Sequence, residues 1–478
     1  MEFHVNLLDR KDLSGEIYRQ LRRAILDGRL RPGELLPPTR ELARRLSVAR
    51  TTATVAYDRL SGEGFVVSRV GAGTFVTEHA APLTMESARR RSDGALRPRA
   101  VWNYIPLATA FARRAQFDFR TGLPDASLFP HDRWRRLVST ALRSEAVETG
   151  VYGDPAGYQP LRVAIARYLG SARGMQITAD DVTIVNGTQQ GLDVVARTLI
   201  APGDKIAVED PGYPLVRRLL ESLGARVRSA SVDDNGLIVE TLPARARLVY
   251  VTPSHQYPLG MSMSLPRRRA LLEWAERNDS AIIEDDYDSE FRFRDRPIEP
   301  LQTLDTTGRV IYIGSFSKTI LPTLRLGFVV TPPSLRAAVH RVKQLTDWHT
   351  SMPLQVALTQ FIESGDFARH IRKMREAYRV RHEMVRDVLS QKFADHLQLI
   401  PSIAGLHVAA FARTASVEAI SAIARKASEA GVEIQELSTF TLAKQKRAGV
   451  VLGYGAIPTS KIKEGLRRLR HCFDEQMS

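Results

Sequence analysis

With 478 residues the chain far exceeds the length that one hydrophobic core serves, so at least two folding units are expected. Its 44% hydrophobic and 25% charged residues include no apolar run that could cross a bilayer, the polar opening Met1 to Asp12 is no secretory signal, and the lone Cys472 excludes a disulfide framework or cysteine-cluster metal site, so a cytoplasmic protein without membrane or metal partners is expected. The net charge of +15 suggests an anionic partner, and residues 1 to 115 carry 20 Arg/Lys against 12 Asp/Glu.

Residues 13 to 30 place Ile17, Leu21, Ala24 and Ile25 at helical spacing, with Gly28 and the Pro32-Gly33 pair as stops. A second helix is expected through Leu42, Ala43 and Leu46 with Thr39 as N-cap, and a third through Val55, Tyr57 and Leu60 after a turn at Ser47 to Val48. FVVSRVGAGTFV then alternates around Gly71 and Gly73, which predicts two short strands and a tight turn. These elements form a first domain over 1 to 78. Residues 79 to 115, with Arg89, Arg90, Arg91, Arg97 and Arg99 and no sustained period, read as a basic linker.

From 116 to 478 the texture is that of an α/β domain. Apolar runs at 182 to 186, 205 to 210, 247 to 252, 280 to 286 and 310 to 315 alternate with helical stretches, which predicts a mainly parallel sheet flanked by helices. Beyond Pro332, a long amphipathic helix over 366 to 390 and strands near 396 to 411 and 449 to 454 predict a smaller α+β subdomain.

LPPTRELARRLSVARTTATVAYDRLSGEGFVVSRVGAGTFV, residues 36 to 76, resembles the winged helix-turn-helix of GntR-type regulators. Arg50, Thr51 and Thr52 open the second helix of the motif, where arginine can grip guanine bidentately and threonine can reach phosphate or a thymine methyl. Arg40 starts the supporting helix, at a position that in the resembled family touches the DNA backbone, and Arg69 with Gly71 and Gly73 forms the wing. Taken singly, each arginine is equally well a solvated helical face. Together they imply double-stranded operator DNA as a partner.

In GSFSKTILPTLRLGF, residues 314 to 328, Lys318 follows a strand, with Ser315, Ser317 and Arg325 as donors for a phosphate dianion. NGTQQGLD puts Gly187, Thr188 and Gln189 at a strand-to-helix junction, where backbone N–H groups and the helix dipole favour an anion. Asp285 ends the strand SAIIED, and Tyr287 follows two residues later. Glu284, Asp286 and Asp288 stand beside Asp285, and read alone this acidic run is a solvated strand end or a metal ligand set. The set resembles that of fold-type I aminotransferases, and its union with a GntR-like head resembles the MocR subfamily. The resemblance implies pyridoxal 5'-phosphate as cofactor, with Lys318 forming the internal aldimine, Asp285 on the pyridine nitrogen, Tyr287 on the ring oxygen O3' and Tyr213 over the ring face. It also implies that Tyr152 reaches the phosphate in a neighbouring subunit of a homodimer that packs head to tail.

Two departures bear on activity. His255, Gln256 and Tyr257 stand where the resembled enzymes carry an asparagine, and Val450 and Val451 stand where they carry an arginine that clamps the substrate carboxylate. Arg447 lies just upstream, out of register. Weak or absent transamination of ordinary amino acids is therefore expected, in a transcription regulator that senses the cofactor, an amine or an amino acid. A working aminotransferase with a DNA-binding extension and a dimerisation domain that has lost its cofactor are the alternatives.

Overall fold

The structure, a computed structural model, describes residues 12–78, 98–106, 115–293, 299–443 and 447–477. It divides into two compact units, Met1–Ala100 and Val101–Ser478.

In the first unit, α1 (Leu13–Leu26) starts where the Asp12 carboxylate accepts the Gly15 amide at 3.0 Å, an N-cap that satisfies one of the helix's unpaired donors. It ends at Leu26 and does not run on to Leu30, because Gly28 beyond it adopts φ 74°. There follow β1 (Leu35–Leu36), α2 (Thr39–Leu46), α3 (Arg50–Gly62), β2 (Val66–Arg69) and β3 (Gly73–Val76), with strand order β1-β3-β2. Ile17, Leu21, Ala24 and Ile25 of α1 are buried with Ala53, Ala56, Tyr57 and Leu60 of α3, and the Tyr57 hydroxyl donates to the Pro37 carbonyl at 2.7 Å. Each large apolar side chain so buried contributes about 1.5–3 kcal/mol.

Two local expectations are corrected here. Thr39 is the first helical residue of α2, and the cap position is Pro38, which has no side chain to bond the helix amides. Val55 is 46% exposed, because the face of α3 turned to α1 runs through 53, 56, 57 and 60 and residue 55 falls off that stripe. Of the stretch read as a basic linker, Ala100–Tyr104 form a 3-10 helix, while Arg89, Arg90, Arg91 and Arg97 lie outside the described residues. The turn after α2 stands as expected, with Ser47 in the left-handed region at φ 52°.

The second unit contains β4 (Phe117–Asp118), β5 (Val182–Val185), α4 (Thr188–Leu199), β6 (Lys205–Asp210), β7 (Arg226–Asp233) and β8 (Gly236–Leu237). They are followed by β9 (Leu248–Val251), β10 (Ala281–Asp286), β11 (Val310–Ser315) and β12 (Gly327–Val330). Eight of these strands form one sheet in the order β5-β12-β11-β10-β9-β6-β7-β8. Strands β5, β9 and β11 are buried almost throughout, which is why they read as continuous apolar runs. By contrast β7 carries exposed Arg226 and gives no such run. Neighbours from β11 through β7 are parallel, and β12 runs against both β11 and β5. This reversal sets Ser315 beside Gly327 and Gly327 beside Val185.

The chain continues through α5 (Pro333–Asp347), α6 (Asp366–Lys392), β13 (Leu397–Leu399), β14 (His407–Ala412), β15 (Val432–Glu433), β16 (Gln435–Glu436), β17 (Gly449–Gly453) and α7 (Thr459–Met477). The strands expected near 396 to 411 are β13 and β14, paired in a sheet of order β13-β14-β17-β16. Strand β15 pairs with β4, which draws the start of the unit onto its C-terminal part. Cys472 is buried in the α7 core with Phe473 and Leu469. No helix among the described residues is long and apolar enough to cross a membrane.

Candidate functional site

Asp285 and Ser315 stand at the C-terminal ends of the parallel strands β10 and β11, the side of an α/β sheet on which ligands bind. Gly187 caps α4 with φ 78° and ψ 171°, a conformation that favours glycine, and a Cβ there would lie 2.8 Å from an Arg325 nitrogen. The following amides, Thr188 and Gln189, belong to the first turn of α4 and have no preceding helical carbonyl to bond. Arg325, held left-handed at φ 52°, donates to the Asn186 carbonyl at 2.9 Å. The Ser315 hydroxyl accepts the Ser317 amide at 3.0 Å and keeps its own proton to donate. Helix N-terminus, guanidinium and hydroxyl together make a cradle for an anion.

Lys318 is half-buried, and its Nζ donates to the Gly122 carbonyl at 2.7 Å. Burial lowers its pKa against the pull of Asp288 and Asp285, which favours the uncharged, nucleophilic amine. Asp285, 5% exposed, accepts the Tyr250 hydroxyl on Oδ2 at 2.7 Å, while Oδ1 is buried with no partner among the described residues. Burial pushes its carboxyl up to about 7, with Tyr250 opposing that shift. A buried carboxyl with one vacant oxygen suits a protonated ring nitrogen. The site therefore offers an anion cradle, an amine nucleophile and a carboxyl, with the charges of both Arg325 and Asp285 felt at Lys318.

Tyr213 belongs to the same site: burial raises its pKa, and Asp285 and Arg325 both act on it. Its ring meets Tyr257 edge-on at 5.9 Å, and Tyr257 in turn meets Tyr287, His407 and Phe440. The Tyr257 hydroxyl lies 2.8 Å from that of Thr121, beside Gln435. The Tyr287 hydroxyl donates to the His255 carbonyl at 2.9 Å. His255, Asp288 and His407 form a buried cluster whose nitrogen and oxygen atoms lie within 4.8 Å of one another, with His255 Nδ1 2.9 Å from Asp288. Sequence reasoning missed this cluster, as it missed Tyr250 and Gly122, because the partners lie on separate strands and loops and no local motif links them.

Tyr152 is 76% exposed, and its ring meets that of Trp348 tilted by 32° with centroids 4.9 Å apart. Val450 and Val451 are fully buried in β17, Val451 among Leu259, Met261, Ile400, Leu437 and Phe440. Arg447 is exposed and lies over the Phe411 ring.

In the first unit, Arg40, Arg50 and Thr51 are exposed at the openings of α2 and α3, and Thr52 is half-buried. Val55, four residues after Thr51, extends the same exposed face. Arg69, Gly71 and Gly73 are exposed at the β2-β3 turn, with Gly71 at φ 78° and Gly73 at φ 113°. Val70, between them, is fully exposed.

The family model for aminotransferase class I and II matches residues 124–469, and that for bacterial regulatory proteins of the gntR family matches residues 13–76. The chain is 38% identical over 464 residues to the probable rhizopine catabolism regulatory protein MocR of Rhizobium meliloti, covering 96% of this chain and 93% of that one. It is 30% identical over 441 residues to the pyridoxine biosynthesis transcriptional regulator PdxR of Corynebacterium glutamicum, covering 92% and 91%. Its fold is similar to that of kynurenine aminotransferase from Pyrococcus horikoshii, solved in complex with PMP, with TM-score 0.72 and 26% identity over 83% of this chain and 100% of that one.

Proposed function

The chain belongs to the aminotransferase class I and II family and, through its gntR-type head, to the MocR-type transcription regulators; from that premise we propose that it binds operator DNA through its first unit and senses a small molecule on pyridoxal 5'-phosphate held by Lys318. The observation that carries the reading is the buried Asp285 carboxyl with its vacant Oδ1, acting on the same amine as Arg325 of the anion cradle. That donor set fits the cofactor's two ends, a ring nitrogen and a phosphate. Bound there, the cofactor supplies an aldehyde that captures primary amines and a ring that draws electrons.

The residues of the chain divide the work. The amides of Thr188 and Gln189 with Ser315, Ser317 and Arg325 hold the phosphate, and Gly187 lets the backbone approach it. Asp285 keeps the ring-nitrogen proton in place, and Tyr250 fixes the carboxyl. Tyr213 and Tyr287 wall the site and exclude water. The Gly122 carbonyl orients the Lys318 amine.

The valines of β17 supply no guanidinium fork for a carboxylate, which favours an effector that is an amine, an unusual acid or the cofactor itself. The relatives' names, one for rhizopine catabolism and one for pyridoxine biosynthesis, agree with that range. The effector acts by binding one arrangement of the DNA heads better than another. Arg40, Arg50, Thr51, Thr52, Arg69 and the Gly71 to Gly73 tip are the proposed DNA contacts. The exposed Tyr152 and Trp348 are the proposed contact to a second subunit of a homodimer, with Tyr152 reaching the partner's phosphate site.

Borohydride reduction after incubation with pyridoxal phosphate is expected to label the peptide containing Lys318, and Lys318→Ala to lose both label and visible absorbance. A label on another lysine, or none, overturns the sensor reading. A true aminotransferase remains a second reading because Lys318 and Asp285 are both present; steady turnover in an amino-donor panel, with no shift of upstream DNA, would establish it.

A further inference from the structure

Lys343 of α5 has no exposed side-chain surface, although it is a lysine and plays no part in the site described above. Its Nζ donates to Asp347 Oδ1 at 2.5 Å, one helical turn on, at the last residue of α5. The other oxygen of Asp347 accepts two further hydrogen bonds, from Asn186 Nδ2 at 2.6 Å and from Gln190 Nε2 at 2.7 Å. Gln190 Oε1 in turn accepts the Asn186 amide at 2.7 Å. With Arg325 on its carbonyl, Asn186 is bonded at its amide, its side chain and its carbonyl. It is the residue immediately before Gly187, so these bonds set where the anion cradle stands.

We infer that Lys343 and Asp347 form a positioning pair for phosphate binding, in which Asp347 pins Asn186 and Gln190 and the buried ammonium cancels the carboxylate's charge beside the anion site. The inference deepens the proposed function and rests on its placement of a phosphate at Gly187 to Gln189. Charge decides its sign. Asp347 alone would repel a dianion at close range, and a pinning carboxylate is tolerable there only with a cation held out of water against it. Lys343, whose side chain has no exposed surface, fills that role out of a ligand's reach.

The test is titration calorimetry on the full chain with pyridoxal phosphate, pyridoxal and inorganic phosphate. Lys343→Met is expected to weaken pyridoxal phosphate and inorganic phosphate by roughly tenfold or more, as loss of a charged hydrogen-bond partner does. Pyridoxal, which has no phosphate, keeps its affinity. The double variant Lys343→Met with Asp347→Asn recovers most of the loss, because the amide oxygen still accepts and no bare charge is left. Asn186→Ala, which leaves the buried pair whole, shows the same loss confined to phosphate-bearing ligands. Equal losses for pyridoxal and pyridoxal phosphate, no loss, or a double variant worse than the single each overturn the inference. If pyridoxal phosphate never attaches to the wild type but inorganic phosphate responds as stated, the proposed function falls and the positioning pair stands. If attachment is normal and the phosphate selectivity does not move, the pair falls alone.

Discussion

Asp285 titrates where its pH dependence can be seen. Burial lifts its carboxyl from 3.8 to about 7, so between those values the folded state holds a proton that the unfolded chain has released. The stability linked to that proton is complete below about 4 and is lost as pH rises through about 7, at up to about 1.4 kcal/mol per pH unit. Asn mimics the protonated acid, so without cofactor Asp285→Asn is expected to flatten this part of the curve and to match or exceed wild-type stability at pH 8. Denaturant unfolding at pH 4 to 8 checks it. Burial also pushes Glu209 and Glu284 up to about 7, so a residual slope persists in the variant. With cofactor present the order reverses, because the amide cannot hold a proton on the ring nitrogen. A variant less stable than wild type at pH 8, or one with an unchanged slope between pH 4 and 7, would refute the assignment. The strand and its acidic end were legible in the sequence, and the family resemblance singled out Asp285 from Glu284, Asp286 and Asp288; its vacant Oδ1 was not legible, since that depends on Tyr250 one strand away.

At the scale of elements, α3 and β17 carry the clearest consequences. Arg50 opens α3, exposed to solvent. If it meets a base edge, Arg50→Ala costs about 1–3 kcal/mol of operator affinity and relaxes specificity at one position; if it meets phosphate, the loss is uniform across sequences and the salt slope falls by about one. Binding measured on operator and random DNA at several salt concentrations separates the two, and an unchanged affinity on both would remove Arg50 from the interface. In β17, Val451 is sealed among apolar side chains. Restoring an arginine there buries a charge with no partner, so Val451→Arg is expected to destabilise the protein by ~3 kcal/mol or more, without yielding transamination of common amino acids. Thermal unfolding and a donor panel read both outcomes, and a stable, active variant would overturn the account of the missing fork. The apolar pattern marked both elements correctly, yet Val55 entered the expected core of α3 because a residue can keep helical spacing and still lie off the face its neighbour covers.

For the whole molecule, the two units must communicate if the protein is a sensor. The Lys318→Ala chain is expected to retain operator binding, because Arg40, Arg50 and Arg69 are untouched, and to lose its response to pyridoxal phosphate or an amine. Footprinting with and without ligand checks this, and a variant that still responds would separate regulation from the lysine. A homodimer contacting through Tyr152 and Trp348 predicts that Tyr152→Ala shifts the sedimentation equilibrium toward monomer; no shift would place the interface elsewhere. Ligand effects on DNA affinity cannot exceed the difference in the ligand's affinity for the two arrangements, so a weak effector gives a weak switch.

Sequence alone determined what short-range pattern encodes. The helix-turn-helix with its glycine wing, the alternation of strands and helices, Lys318 after a strand and the Gly187 junction all follow from periodicity and from residues whose backbone preferences are local. Tertiary structure alone decided what long-range packing encodes: the antiparallel β12 that sets Gly327 beside Val185, the Gly122 carbonyl on the lysine, the His255, Asp288 and His407 cluster, and Asp347, paired with Lys343, on the Asn186 side chain. The reason is that desolvation and hydrogen-bond partnership are properties of neighbours in space, and these neighbours come from strands and loops that the chain's local pattern does not rank against one another.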